Sequence, residues 1–358
     1  MPFGESLIEL AVDRGSIESK GRSTPICEIE LELLSGKVAD IFGLTRQLQE
    51  QLDLLPAIAS KAERGYKLYA NQALRPFKAK TAAIHDRMMP VEAFRSIALG
   101  CLEHFQRNEK GLLKSDDPEF VHQARVALRR LRSAIKLFAP VLPPEFVTAY
   151  GKTWQTLASA LGDARNWDVF LKETLPPIDA AFPENHDIRR LRNAARRRAD
   201  EARRSITRIL SVSEYPRLLV EFTAAIYALN DTLPLPLKDF ADKQLKRYAR
   251  KAKRFAVCHT TLTPEERHQM RINFKKLRYS MEFFEPLLES RQLPTYLSTL
   301  SILQDELGLI NDLVTAQTLI DDALKNHTPG PVQGWIAGRQ ALLITNLSAA
   351  MESWLENK

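Results

Sequence analysis

Two stretches of this sequence set an imidazole at the head of a row of cations. The first holds His122, Arg125, Arg129, Arg130, Arg132 and Lys136; the second holds His268, Arg271, Lys275, Lys276 and Arg278. In a helix, where successive residues turn by about 100°, His122, Arg125, Arg129, Arg132 and Lys136 share a stripe roughly 80° wide. His268, Arg271, Lys275 and Arg278 repeat it. Cations one turn apart are stacked at intervals of about 5 Å, which suits a chain of phosphates. The bland alternative is a solvated face, since Arg and Lys favour helices and cover apolar surface with their stems. Two copies favour the anion-holding reading, because a solvated face needs neither the spacing nor the imidazole. A neutral histidine can donate to phosphate and a protonated one can pair with it; a histidine that orients an arginine inside the bundle is the equal alternative.

The elements that position these rows are helices with good starts. Asp117-Pro118-Glu119 and Thr263-Pro264-Glu265-Glu266 each combine a polar cap, a proline in the first turn and first-turn acids. Beside each stripe runs an apolar face, Leu128, Leu131, Ile135 and Phe138 in one copy, Phe274, Leu277, Met281 and Phe284 in the other. Glu119-x-x-His122 and Glu265-x-x-His268 match a di-iron bundle pattern. The glutamates are already explained as first-turn acids, and the cations along the stripe would repel a metal, so no metal and no other cofactor is expected. Further basic surface comes from Lys246, Arg250 and Lys253 on one side of a preceding helix, and from Arg189, Arg192, Arg196 and Arg203. Asp163, Asp168 and Asp312 are candidates to buttress the arginines.

The two rows belong to a larger repeat. A shift of 146 residues lays His122 on His268, Phe138 on Phe284, Pro90 on Pro236, Phe94 on Phe240, and Leu161-Gly162 on Leu307-Gly308. A gapless register of this length implies duplicated helical bundles. The expected fold is mainly all-α, with two pseudo-symmetric four-helix bundles covering residues 90–356, the first repeat at about 90–229 and the second at about 236–356. Breaks are expected near 140–144, 176–183, 216, 234–236, 286, 294 and 329–331. Ahead of them, residues 1–70 read as a small α+β piece. Its strands are expected at 7–15 and 26–33 with turn residues Gly21 and Pro25 between, followed by a helix over 37–55. Residues 71–89 read as a linker.

Charge follows the same division. Residues 1–89 hold 12 basic and 12 acidic side chains, so the whole excess of +7 lies in residues 90–358. A localised excess favours an anionic partner through steering and counterion release. Cys27, Cys101 and Cys258 are scattered without metal-ligand spacing, no apolar run approaches the ~20 residues that span a bilayer, and the acidic start lacks a signal peptide's basic and apolar regions. A soluble, cytoplasmic protein is expected. The helical part has no phosphate-cradling glycine loop and no nucleophile motif, so no catalytic residue is expected there.

The duplicated His-x-x-Arg-x-x-x-basic-basic-x-Arg pattern, followed by a Leu-Gly helix, resembles the CHAD family, the conserved histidine α-helical domain, over roughly residues 85–356. The resemblance implies two four-helix bundles with a basic groove or pore between them that binds inorganic polyphosphate and brings proteins to polyphosphate granules. It implies that His122, Arg125, Arg129, Arg132, His268, Arg271, Lys275 and Arg278 line the basic surface; Arg130, Lys136, Lys276, Tyr279, Lys246, Arg250 and Lys253 complete the candidate set. Cys27 to Gly36 and Ser60 to Tyr66 resemble the closing part of a CYTH triphosphate-tunnel domain, whose opening strand has no counterpart here. Glu28, Glu30 and Glu32 could match its carboxylates. The incomplete tunnel implies that the chain is not an enzyme, leaving metal-dependent triphosphatase activity as an alternative, as is single-stranded nucleic-acid binding. The expected partners are polyphosphate and other polyanions, with no membrane; a homo-oligomer stays open.

Overall fold

The computed structural model describes residues 1–231, 235–288, 293–325 and 328–356, so the break expected at Pro234 lies outside the described residues. The chain opens with an antiparallel sheet in the order β1 (Pro2–Phe3), β2 (Ser6–Ser19), β3 (Arg22–Ser35). Lys20 and Gly21 both take positive φ, 49° and 73°, the two-residue turn whose twist matches its flanking strands. Pro25, expected in a turn, instead sits inside β3 opposite Ser16. The strand lies at the sheet's edge, where a missing N–H removes no outer ladder bond.

After the sheet come α1 (Val38–Gln51) and α2 (Lys61–Tyr69), the latter capped by Ser60. Glu63 of α2 is paired with Arg107 of the helical part at 2.7 Å. Residues 72–89 form no helix or strand. They are nevertheless held down. The Phe77 N–H donates to Asn108 Oδ1 at 3.0 Å, Asn108 Nδ2 donates back to the Phe77 carbonyl at 2.9 Å, and Ile84 is buried in the core.

Among the described residues from Pro90 onward every regular element is helical: α3 (Pro90–Lys114), α4 (Pro118–Phe138), α5 (Pro144–Val169), α6 (Leu175–Ala181), α7 (His186–Ser211), α8 (Glu214–Ala228), α9 (Leu237–Val257), α10 (Pro264–Phe284), α11 (Leu293–Leu324) and α12 (Gly330–Glu356). A π-helical turn, Phe170–Thr174, carries α5 into α6. The repeat is visible in the elements. α4 and α10 both span 21 residues and start 146 apart, and each runs into a 3-10 turn, Ala139–Val141 or Glu285–Leu287. The breaks expected near Pro216, Pro294 and Pro331 fall at helix starts: these prolines lie in first turns, where no N–H is needed for the helical ladder.

One continuous apolar core joins the two halves. At its centre Phe138 packs on Phe94 at 5.7 Å, Phe240 at 5.0 Å and Phe284 at 5.7 Å between ring centroids. These four rings are the two phenylalanine pairs that the 146-residue shift relates. Aromatic pairs at such distances stabilise by about 0.5–1.5 kcal/mol each beyond their burial. Among the described residues, no helix is long and apolar enough to cross a membrane.

Candidate functional site

The caps expected from the sequence set the phase of both stripes. Asp117 Oδ1 accepts from the Glu119 N–H at 2.9 Å, while Thr263 and Glu266 exchange bonds of 3.2 and 2.9 Å. Burial of Leu128, Leu131, Ile135 and Phe138 in α4, and of Phe274, Leu277 and Phe284 in α10, turns the basic edges of the two helices toward each other.

Where they meet, Arg125 and Arg129 of α4 lie beside Arg271 and Lys275 of α10, with Asp312 of α11 as the facing acid. Burial pushes Lys275 down to about 6, with Arg129, Arg271 and Arg125 adding to the effect and Asp312 opposing it. Burial likewise pushes Arg125 down to about 10, helped by Arg129 and Arg271, which leaves it charged at neutral pH. Gly162 of α5 makes room for Arg125: a Cβ there would stand 2.7 Å from Nη1. Its repeat partner Gly308 borders open space. His122 is half-buried and its pKa is lowered, first by burial and then by Arg165, Arg129 and Arg125, with Glu119 opposing. Its neutral ring can therefore serve as a donor to an anion.

Farther along α4, burial lowers the pKa of Arg132; for Lys136 burial is joined by Arg132. Lys276 is lowered by burial and then by Lys136, Lys251 and Arg247, which places it between α4 and α9. Among the described residues, no ion pair within 4.0 Å involves Arg125, Arg129, Arg132, Lys136, Arg271, Lys275 or Lys276, and the Nε atoms of Arg129, Arg132 and Arg271 are buried without a partner. Three arginines of α7 contrast with them. Arg192 is paired with Asp179, Arg203 with Asp168 and Arg198 with Asp322.

The other candidates stand elsewhere. Arg130 is buried against Phe283 and paired with Glu282, which also takes Arg278 at 3.3 Å. Tyr279 is 2% exposed, with the Arg129, Arg130 and Arg278 guanidinium groups 5.5–5.9 Å from its ring, so it seats arginines and does not itself reach a ligand. His268 is exposed, 3.1 Å from Asn311 Oδ1. The two histidines thus differ in burial and neighbours: the position equivalent to Asn311 in the first repeat is Arg165, whose charge helps lower the His122 pKa. On α9, Arg250 lines an open groove with Arg247, Lys251, Arg254 and Lys276, while Lys246 and Lys253 are exposed outside that lining. Arg247, Lys251 and Arg254 were missed, although i, i+3, i+4, i+7 spacing from Arg247 marks one helix face.

In the N-terminal sheet, carboxylate oxygens of Asp13, Glu28 and Glu30 lie within 4.8 Å of one another. Lys61 bonds to all three, at 3.3 Å to Glu28 and 2.9 Å to Glu30, and Arg64 also pairs with Glu28. Glu32 stands outside this group. The donor set is one that a hard cation could use, but an ammonium already fills it.

A Haemophilus influenzae protein named inorganic triphosphatase is 44% identical over 72 residues, a fifth of this chain and a fifth of that relative. That match overturns the expectation, drawn from the incomplete tunnel, that the chain is not an enzyme. PptA from Streptomyces chartreusis shares the fold, with a TM-score of 0.53 at 12% identity over 74% of this chain and 95% of that one. The crystal structure of the CHAD domain from the plant Ricinus communis superposes with a TM-score of 0.67 at 31% identity, covering 78% of this chain and 97% of that one. The family model of the CHAD domain matches residues 96–321, from within α3 to within α11, and spans both histidine-headed helices. The chain belongs to the CHAD domain family.

Proposed function

We propose that the protein binds inorganic polyphosphate along the facing stripes of α4 and α10 and is carried to polyphosphate granules by that contact. The supporting observation is the row of basic side chains that, among the described residues, have no acid within ion-pair distance: the half-buried Arg125, Arg129, Arg132, Arg271, Lys275 and Lys276 and the exposed Lys136. Holding like charges together without counter-charge is unfavourable, and a linear polyanion relieves it at every step. Tyr279 is buried and offers no face to a nucleobase, which favours a ligand without bases.

The test is competition between long-chain polyphosphate and single-stranded DNA or RNA at matched phosphate concentration and physiological salt. Polyphosphate should win; nucleic acid winning would sink the reading. The pair Arg129→Glu with Lys275→Glu should abolish binding while leaving helicity intact, and unchanged affinity would remove the stripes from the mechanism.

A second reading comes from the triphosphatase match and the acids of β2 and β3: the N-terminal sheet acts on a triphosphate, with a divalent cation held by Asp13, Glu28 and Glu30 in place of the Lys61 amine. Phosphate release from tripolyphosphate with Mg²⁺ or Mn²⁺, lost in Glu28→Gln/Glu30→Gln, is the expected result. Equal release by that variant would exclude this site.

A further inference from the structure

The 146-residue repeat relates two grooves that have diverged. In the first repeat a cavity of about 510 Å³ between α3 and α4, lined by Cys101, His104 and Arg130, is walled on one side by the segment from Phe77 to Ala83. Asn108 clasps that segment by both backbone groups of Phe77. In the second repeat the corresponding positions are Arg247, Arg250, Lys276 and, for Asn108, Arg254. They line a groove of about 660 Å³ between α9 and α10 that no chain segment covers among the described residues. Thus a surface that carries an extended peptide in one half is open and basic in the other.

Resting on the polyphosphate reading above, we infer that the α9–α10 groove is a second track for the same polymer, continuing the central stripes so that long chains occupy both. Three observations carry this. No acid among the described residues lines the groove. None of Arg247, Arg250, Lys251 and Arg254 belongs to an ion pair among the described residues. The cations are continuous with the central row, because Arg132 stands by Lys136, Lys136 by Lys276, and Lys276 by Lys251 and Arg247. An acidic peptide is the poorer fit. A polyphosphate is anionic at every unit and has no apolar side chains, and the groove's aromatic ring, Phe255, has the Arg254 guanidinium 5.5 Å from its centroid.

The consequence is dependence on chain length. Tripolyphosphate can occupy the central stripes alone, whereas a long chain gains from the groove as well. The test uses the full chain and the triple variant Arg247→Gln/Lys251→Gln/Arg254→Gln, whose sites are exposed; unchanged Tm and circular dichroism establish that it folds. At physiological salt, long-chain affinity should fall about tenfold or more, with a shallower salt dependence, while tripolyphosphate affinity stays the same. Equal long-chain affinity in both proteins would overturn the second track and leave the central site standing. No long-chain binding by the unmodified protein would overturn the polyphosphate reading, and this extension with it. If a polyglutamate peptide binds and the triple variant loses that binding while keeping polyphosphate, the groove is a peptide site and the inference falls.

Discussion

Replacing Lys275 by Met should stabilise the unliganded protein while weakening its hold on polyphosphate. Lys275 takes up its proton below about 6 in the folded protein but below its ordinary 10.5 in the unfolded chain. Between those values the unfolded chain holds the extra proton, so stability rises with pH; the penalty is full below 6 and fades as pH rises to 10.5. At about 1.36 kcal/mol per pH unit, leaving this lysine neutral at pH 7.5 costs on the order of 4 kcal/mol, and at pH 9.5 about 1.4 kcal/mol. Met keeps the apolar stem without that charge. At about 2–4 °C per kcal/mol, Lys275→Met should raise the Tm by roughly 10 °C at pH 7.5 and by only a few degrees at pH 9.5. Polyphosphate returns the counter-charge, so binding at pH 7.5 should take up a proton, read by calorimetry in buffers of different ionisation enthalpy. The variant should lose that uptake. Equal Tm values for the variant and the unmodified protein at both pH values would refute the claim that Lys275 is held buried without an ion-pair partner.

Three further outcomes are expected. Gly162→Ala should displace the Arg125 guanidinium and weaken polyphosphate binding several-fold with little change in Tm, whereas Gly308→Ala, facing open space, should leave binding alone; equal effects in a titration would show that Gly162 does not seat Arg125. Arg130→Ala should lower stability by roughly 1–2 kcal/mol, since it leaves Glu282 with Arg278 alone and uncovers Phe283 and Tyr279, while Arg132→Ala should act mainly on binding; denaturant melts and titrations separate the two. Glu63, held down to about 2 first by Arg107 and then by Lys67, contributes stability above its ordinary 4.5 that is lost as pH falls toward 2. Arg107→Ala should speed hydrogen exchange in α2 at neutral pH, and unaltered exchange would show that this contact does not anchor α2.

The repeat and its helices were readable because the apolar faces of α4 and α10 recur with helical period and the caps at Asp117 and Thr263 announce where each begins. The stripes were readable for the same reason. What escaped was whatever depends on the neighbouring helix. Arg130 and Arg129 are adjacent in sequence, yet one is taken up by Glu282 and the other faces the open row, and only the packing of α10 on α4 decides which. Pro25 looked like a turn because sequence does not say that β3 is an edge. The segment 71–89 looked like a linker because its anchor, Asn108, lies in the middle of α3, 31 residues from Phe77.

The four phenylalanine rings at the junction of the halves bear on how a ligand is admitted. Phe138 touches Phe94, Phe240 and Phe284, so spreading the two rows of cations would require pulling aromatic faces apart inside the core. The rings act as a spacer of fixed thickness. The protein cannot close around a polyanion as a jaw does, and the charge spacing that meets the first phosphate also meets the last. Capture should then proceed in a single kinetic phase, at a rate set by diffusion and ionic strength, with no slow rearrangement after contact.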